Sequence, residues 1–347
     1  MSHAPLPLPA HFRPEHAASF AYQPDPGALL ESAATFREAH GVRPASGDRE
    51  RVRLLLVDVQ KDFCFPEGSL FVAGRSGTGA LEDNRRVAEF IYRNLDRLTE
   101  LMATLDTHHP VQIFFPAFWQ DASGRPLSAH RTVSVADVTS GSVRPDPALA
   151  ATLTGGDVEA LEAQALHYVR ELERAGRYTL YLWPPHCLLG TDGHALVGVI
   201  QEARLFHTFV RHAHNPLVTK GEHPFTENYS VLRPEVLTRP DGSALAEPDH
   251  ALLEVLLRSD RLIICGEAAS HCVRSTVDDL LEAIRARDAT LASRVYLLTD
   301  CMSPVAVPDG KGGFLSDFTA ETEAALQRYA EAGMHLVEST TPMSEWP

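Results

Sequence analysis

"RVRLLLVDVQ", residues 51–60, is an apolar run of strand length that closes on an acid, Asp58. A strand with one wet face alternates apolar and polar residues, whereas successive apolar positions mark a strand buried on both faces, as in a parallel sheet covered by helices. Similar runs recur in "LMATLDTHHP" (101–110), "RYTLYLW" (177–183), "NPLVTKG" (215–221), "RLIICGE" (261–267), "RVYLLTD" (294–300) and "MHLVEST" (334–340). Helical patterns separate most of them: Leu81 to Glu100, then residues 157–176, 194–206, 249–260, 272–287 and 320–333. Strands alternating with helices predict an α/β fold, a mainly parallel central sheet of about six strands with helices on both faces.

Residues 1–50, rich in Pro, His and Ala with one helical candidate at "GALLESAATFREAHG", read as an N-terminal arm packed on the domain. The domain itself is expected over residues 51–347, with an insertion at about 117–176. Its first part, 117–156, is polar and punctuated by Gly and Pro, so it reads as loop or inserted structure.

The composition excludes some classes. A net charge of −15 over 347 residues argues against a nucleic-acid or membrane-surface binder, which needs a basic face. No run of about 18 apolar residues is present, so no membrane span is expected. The five cysteines (64, 187, 265, 272 and 301) form an odd, scattered set, as expected of reduced thiols in a cytoplasmic protein. A homo-oligomer acting on a small molecule is the expected assembly.

In open parallel sheets ligands bind beyond the carboxyl ends of the strands. There the sequence sets Asp58, Asp106 with His108, Lys220, and Cys272 at the start of a helix. A free cysteine is more often a buried structural residue. At a helix N-terminus, however, the dipole favours thiolate, and the small residues of "ICGEAASHC" leave room for a substrate. Asp106 and His108 stand two residues apart in "DTHHP", so in extended chain both face one way, a pairing suited to a divalent transition metal such as zinc, iron or manganese. His186 in "WPPHC" offers a third ligand, although with 17 histidines in the chain any single one is weak evidence. Lysine is scarce: only Lys61, Lys220 and Lys311 stand against 28 arginines.

Together these residues resemble the nicotinamidase branch of the isochorismatase-like cysteine hydrolases. "LLVDVQKDFCFPEGSL" resembles that family's opening strand with its Asp-x-Gln-x-Asp-Phe core. "DTHHP" and "WPPHCLLGTDG" resemble its metal elements, "VTKGEHPFTENYS" its Lys-Gly stretch, and "CGEAASHCVRSTVDD" its nucleophile motif. The resemblance covers most of residues 52–300. It implies Cys272 as nucleophile, Asp58 as proton carrier and Lys220 as third member of a triad. It also implies Asp106, His108 and His186 as ligands of one divalent transition metal, zinc before iron or manganese. Backbone N–H groups of Ala268 and Cys272 would form an oxyanion hole beside a cis peptide at Glu267–Ala268. Phe63, Trp183 and His271 would line the substrate pocket. The implied activity is hydrolysis of nicotinamide, or a close heteroaromatic carboxamide, to the acid and ammonia. Ser270 and His271 depart from the family's usual Asp and aromatic or valine residues. An amidase of the same fold acting on another carboxamide, carbamoyl or ureido group therefore stays open, as does a non-catalytic metal- or ligand-binding scaffold.

Overall fold

The computed structural model describes residues 5–176 and 179–347. Its centre is a six-stranded, wholly parallel sheet: β1 Val52–Val57, β2 Glu100–Asp106, β3 Leu217–Lys220, β4 Arg261–Gly266, β5 Val295–Leu298 and β6 His335–Val337, in the order β6-β5-β4-β1-β2-β3. Helices of eight residues or more are α1 Pro26–His40, α2 Gly79–Arg93, α3 Val158–Ala175, α4 Gly198–Arg211, α5 His250–Leu257, α6 Cys272–Arg287 and α7 Thr319–Glu331. Leu54 to Val57 are wholly buried, as the run at 51–60 predicts for a strand covered on both faces.

The chain runs outward from β1 to β2 and β3, then returns to the other side of β1 for β4, β5 and β6. Right-handed crossovers put α2 and α4 on one face and α5, α6 and α7 on the other. The contacts of α2 with α4, and of α6 with α7, agree. The direction reverses between β1 and β4, so a crevice opens at their carboxyl ends, where Asp58 and the loop after Gly266 emerge. Gly266 is required there. Its φ is +119°, and a Cβ would lie 2.1 Å from the Val57 carbonyl oxygen.

Two expectations change and a third narrows. The amphipathic stretch from Leu81 stops as helix at Arg93, not Glu100. Asn94 caps it, donating from its side chain to the Phe90 carbonyl and from its backbone to Phe90 and Ile91. The run at 177–183 does not join the central sheet. Leu180–Leu182 pairs antiparallel with Arg131–Val133, while residues 177 and 178 lie outside the described part. Third, 117–156 is inserted structure rather than loop. A second apolar cluster gathers Ile113, Phe114, Phe115, Phe118 and Trp119 with residues of α3, Leu180 and Leu182, and with Phe225, Val236 and Leu245. Leu180 and Leu182 are apolar because they face this cluster; strand character alone does not say which sheet a segment joins. Toward the N-terminus, α1 buries Leu29 and Ala33 and packs on α4.

Candidate active site

The carboxyl ends of β1, β2 and β3 bring three charged groups together. Asp106 and Lys220 are partners in the β2–β3 register, each the last residue of its strand. Asp58 follows β1 with φ of 48°, wholly buried. Its N–H donates to Thr104 Oγ1 at 2.9 Å, and the Thr104 hydroxyl donates back to Asp58 Oδ1 at 2.5 Å. Lys220 Nζ lies 2.9 Å from Asp58 Oδ2, as a charge contact rather than an aligned hydrogen bond, and 2.9 Å from Asp106 Oδ1. It also donates to the Asn228 carbonyl at 2.7 Å and approaches Cys272 Sγ at 3.8 Å. Burial opposes the Lys220 charge, but Asp106, Asp58 and Cys272 outweigh it and hold the ammonium well above its usual range.

Cys272 is the first residue of α6. Of the five cysteines it alone keeps some exposure, 7% against none for Cys64, Cys187, Cys265 and Cys301. Its thiol stands with Asp58 around the Lys220 ammonium. Burial pushes that thiol well above its usual range; Lys220 pulls it down, while Asp58 and Asp106 push it further up. This corrects the expectation of a resting thiolate. The helix start and the lysine do not overcome desolvation beside two carboxyls. Asp58 is also raised, by burial above all, with Lys220 opposing. A thiol and such a carboxyl gathered around one ammonium are placed for proton transfer between them.

Asp106, His108 and His186 are buried, with ligand atoms within 4.8 Å of one another. His108 Nδ1 lies 3.1 Å from the Gly221 carbonyl oxygen, and His186 Nδ1 lies 2.8 Å from that of Pro184. Carbonyl oxygens only accept, so each Nδ1 carries the hydrogen and each Nε2 presents a lone pair. Both lone pairs face Asp106 Oδ2, at 2.9 Å from His108 and 3.6 Å from His186. Three electron-rich atoms converging in this way fit a divalent cation among them, with the carbonyls fixing the ring orientations. Gly221 makes room: its φ is +88°, and a Cβ would lie 2.7 Å from the His108 ring and 2.8 Å from Asp106 Oδ1. His109, the neighbouring histidine, is exposed.

Phe63, Trp183, His271, Ala268 and Cys272 line one cavity, together with Asp106 and His186. Trp183 Nε1–H donates to the Tyr229 hydroxyl at 2.9 Å. The His271 ring packs edge-on against Trp183 and Phe318. Burial and then Arg274 push His271 down to about 4, so the ring is neutral at physiological pH. The Ser270 hydroxyl accepts from the Val305 N–H and lies 2.8 Å from His271 Nδ1, to which it can donate. The Ser-His departure thus forms a fixed, neutral pocket wall. The Glu267–Ala268 peptide is cis. The N–H groups of Glu267, Ala269, His271 and Val273 are taken by backbone carbonyls, whereas those of Ala268 and Cys272 donate to no carbonyl within the described loop.

Sequence reasoning singled out neither Gln60 nor Asp62, although both stand in the quoted opening motif. Gln60 receives the Asp106 N–H at 2.7 Å and donates to the Asp106 and His194 carbonyls at 2.9 Å each, clamping the end of β2. Asp62 accepts from the Cys187 N–H at 2.6 Å, holding the segment that carries His186. Tyr229 and Glu227 were also missed. Both line the cavity, and burial, then Asp106 and Glu235, push the Glu227 carboxyl well above its usual range. The signal was their place in the Lys220 segment, in the loop beyond a strand end.

No helix among the described residues is long and apolar enough to cross a membrane. No known family model matches the chain, and no curated protein matches it in sequence. Solved structures do. The yeast nicotinamidase Pnc1p bound to the inhibitor nicotinaldehyde is similar over 83% of this chain and 100% of its own, at 19% identity and a TM-score of 0.50. The pyrazinamidase of Pyrococcus horikoshii in complex with zinc matches 83% of this chain and 99% of its own, at 20% identity and a TM-score of 0.42. The doubly wound parallel sheet and the likeness to the yeast structure agree, and the chain carries the isochorismatase-like α/β fold.

Proposed function

We propose that the protein is a metal-containing cysteine amidohydrolase that converts nicotinamide, or a close heteroaromatic carboxamide, to the acid and ammonia. One observation carries this reading: Cys272, Asp58 and Lys220 meet beside an Asp-His-His donor set, and Cys272, Asp106 and His186 of this group line one cavity. A scaffold that only binds has no use for a thiol and a buried carboxyl gathered around one ammonium.

In this reading the Cys272 thiol passes its proton to Asp58 as sulfur bonds to the carboxamide carbon, and the carbonyl π pair moves to oxygen. The Ala268 and Cys272 N–H groups receive that oxyanion. Asp58 then gives the proton to the departing nitrogen, the C–N bond breaks, and ammonia leaves a thioester. Water attacks the thioester, Asp58 takes its proton, and the acid departs as the thiol is restored. Lys220 keeps charge balanced between Asp58 and Asp106 throughout. Asp106, His108 and His186 would hold a divalent transition metal, zinc before iron or manganese, which when bound supplies a Lewis acid that orients a ring nitrogen or a water. Among other carboxamide, carbamoyl and ureido substrates, the aromatic lining of Phe63, Trp183 and His271 favours a flat ring.

Ammonia release from a carboxamide panel tests the reading. Nicotinamide should exceed acetamide in kcat/KM by about 10²-fold, the factor that burying a ring-sized apolar group worth about 3 kcal/mol provides. Equal specificity constants would point to another substrate, and no ammonia from any carboxamide would remove the enzyme reading. Elemental analysis should find about one transition metal per chain, and His108→Ala should lower it sharply. Undiminished occupancy in that variant would move the ligand elsewhere.

A further inference from the structure

Behind the nucleophile loop lies a second acidic pair that the proposed chemistry does not use. Glu267, between Gly266 and Ala268, is 1% exposed, and Asp83 of α2 is 3% exposed. Both carboxyls reach the same residue, Ser303. Ser303 ties both to the loop. Its hydroxyl donates to Asp83 Oδ2 at 2.5 Å, its N–H points at Glu267 Oε2 at 3.4 Å, and its carbonyl accepts from the Ala269 N–H at 2.8 Å. The Glu267 N–H meanwhile donates to the Val57 carbonyl at 2.8 Å. The segment that presents the Ala268 and Cys272 N–H groups thus rests on this pair.

Charge counting sets its protonation. The surrounding groups are Asp83, Asn84 and Arg86 from α2, Cys64 from the short helix Lys61–Cys64, and Cys265 from β4. Asp300, Cys301 and Ser303 come from the segment after β5, and Asp58 follows β1. Among these described neighbours the one cation is Arg86, which donates to Asp83 Oδ1 at 2.8 Å. Two carboxylates and one guanidinium would leave a buried charge unpaired, so the pair holds one proton. The proton belongs on Glu267, because Asp83 has both Arg86 and Ser303 to hold its charge. Burial and then Asp83 push the Glu267 carboxyl well above its usual range, in agreement.

We propose that Glu267 is a positioning residue: it carries the one proton of its buried pair with Asp83, and this one-proton pair, joined through Ser303, holds the oxyanion loop in its working geometry. Ionising Glu267 sets two carboxylates against each other and releases the loop. The catalytic consequence rests on the amidohydrolase reading; the proton and the loop do not.

The test compares Glu267→Gln, which keeps the hydrogen-bond donor without the titration, with Glu267→Ala, which loses both. Stability is read first, without substrate. A carboxyl raised in the folded state stabilises fully below its unfolded value, and that contribution is lost as pH rises toward the folded value. The melting temperature of the wild type should therefore fall with rising pH above about 4.3 more steeply than that of Glu267→Gln. Infrared difference spectra, wild type minus Glu267→Gln, should show a protonated carboxyl C=O band at neutral pH. Amide exchange at Ala269 should match wild type in Glu267→Gln and be at least about tenfold faster in Glu267→Ala, the effect of losing about 1.4 kcal/mol of local protection. On the best carboxamide, Glu267→Gln should keep neutral-pH kcat within about twofold and lose an alkaline decline seen in the wild type, while Glu267→Ala should lose about tenfold.

Parallel melting curves with no carboxyl band would overturn the one-proton pair. Wild-type exchange and kcat in Glu267→Ala would overturn the positioning role. If no carboxamide is turned over while the melting, infrared and exchange results hold, the amidohydrolase reading fails and the one-proton pair stands.

Discussion

Cys272→Ala is expected to abolish ammonia release, by about 10⁴-fold or more, while leaving the fold and the metal content intact. Loss of a nucleophile is among the largest single effects a hydrolase shows, because the remaining site still binds substrate but has no group to form the acyl intermediate. The fold should tolerate the change, since Ala is a good helix former at the first position of α6 and the removed atom faces a cavity. Differential scanning and elemental analysis check those two controls. Alkylation gives an independent reading. An uncharged thiol reagent should label Cys272 before the four fully buried cysteines, and its rate should rise toward alkaline pH, because the thiol sits above its usual range and only thiolate reacts. Measurable wild-type turnover in the alanine variant would end the cysteine-hydrolase reading. Fast, pH-independent labelling at neutral pH would show that a resting thiolate exists after all.

That correction marks where the sequence runs out. The apolar run at 51–60 made the parallel sheet legible, and the rule for strand ends gathered Asp58, Asp106, His108, Lys220 and Cys272 before any distance was known. Helix α6 was legible residue by residue, over Cys272–Arg287, because an apolar stripe continues to the charged close at Arg285 and Arg287. The charge state of Cys272 was not legible. It turns on how much water the fold removes and on how near two carboxyls come, neither of which spacing encodes. The second core escaped for a related reason. Its local signal is the aromatic run from Ile113 to Trp119, but its partners Phe225, Val236 and Leu245 lie a hundred residues on. Gln60 and Asp62 show the same limit at the site: their residue types are unremarkable, and only three-dimensional contact reveals that one clamps β2 and the other holds the His186 segment.

Lys220→Arg, which preserves charge, is expected to lose about 10²-fold or more in kcat, the lower end of a general acid–base contribution. The geometry is specific about why. One ammonium meets Asp58, Asp106 and the Asn228 carbonyl at 2.7–2.9 Å and stands 3.8 Å from Cys272 Sγ, in a position 5% exposed. A compact charge with three rotatable donors satisfies groups spread around it, whereas a planar guanidinium would satisfy two and drive its third nitrogen into a neighbour. The added bulk would move Asp106, and with it the donor set, or Asp58, and with it the proton path. Metal content distinguishes the two: a fall in occupancy alongside the fall in kcat places the damage at Asp106, and full occupancy places it at Asp58. Lys61 and Lys311 supply the controls. Lys61 is also buried, but its ammonium lies over the Phe20 ring at 5.0 Å, away from the site, and Lys311 is exposed. Lys61→Arg and Lys311→Arg should stay near wild type in kcat. If all three variants keep wild-type kcat, the lysine of "VTKGEHP" is an accident of composition, and a cation of either shape suffices between Asp58 and Asp106.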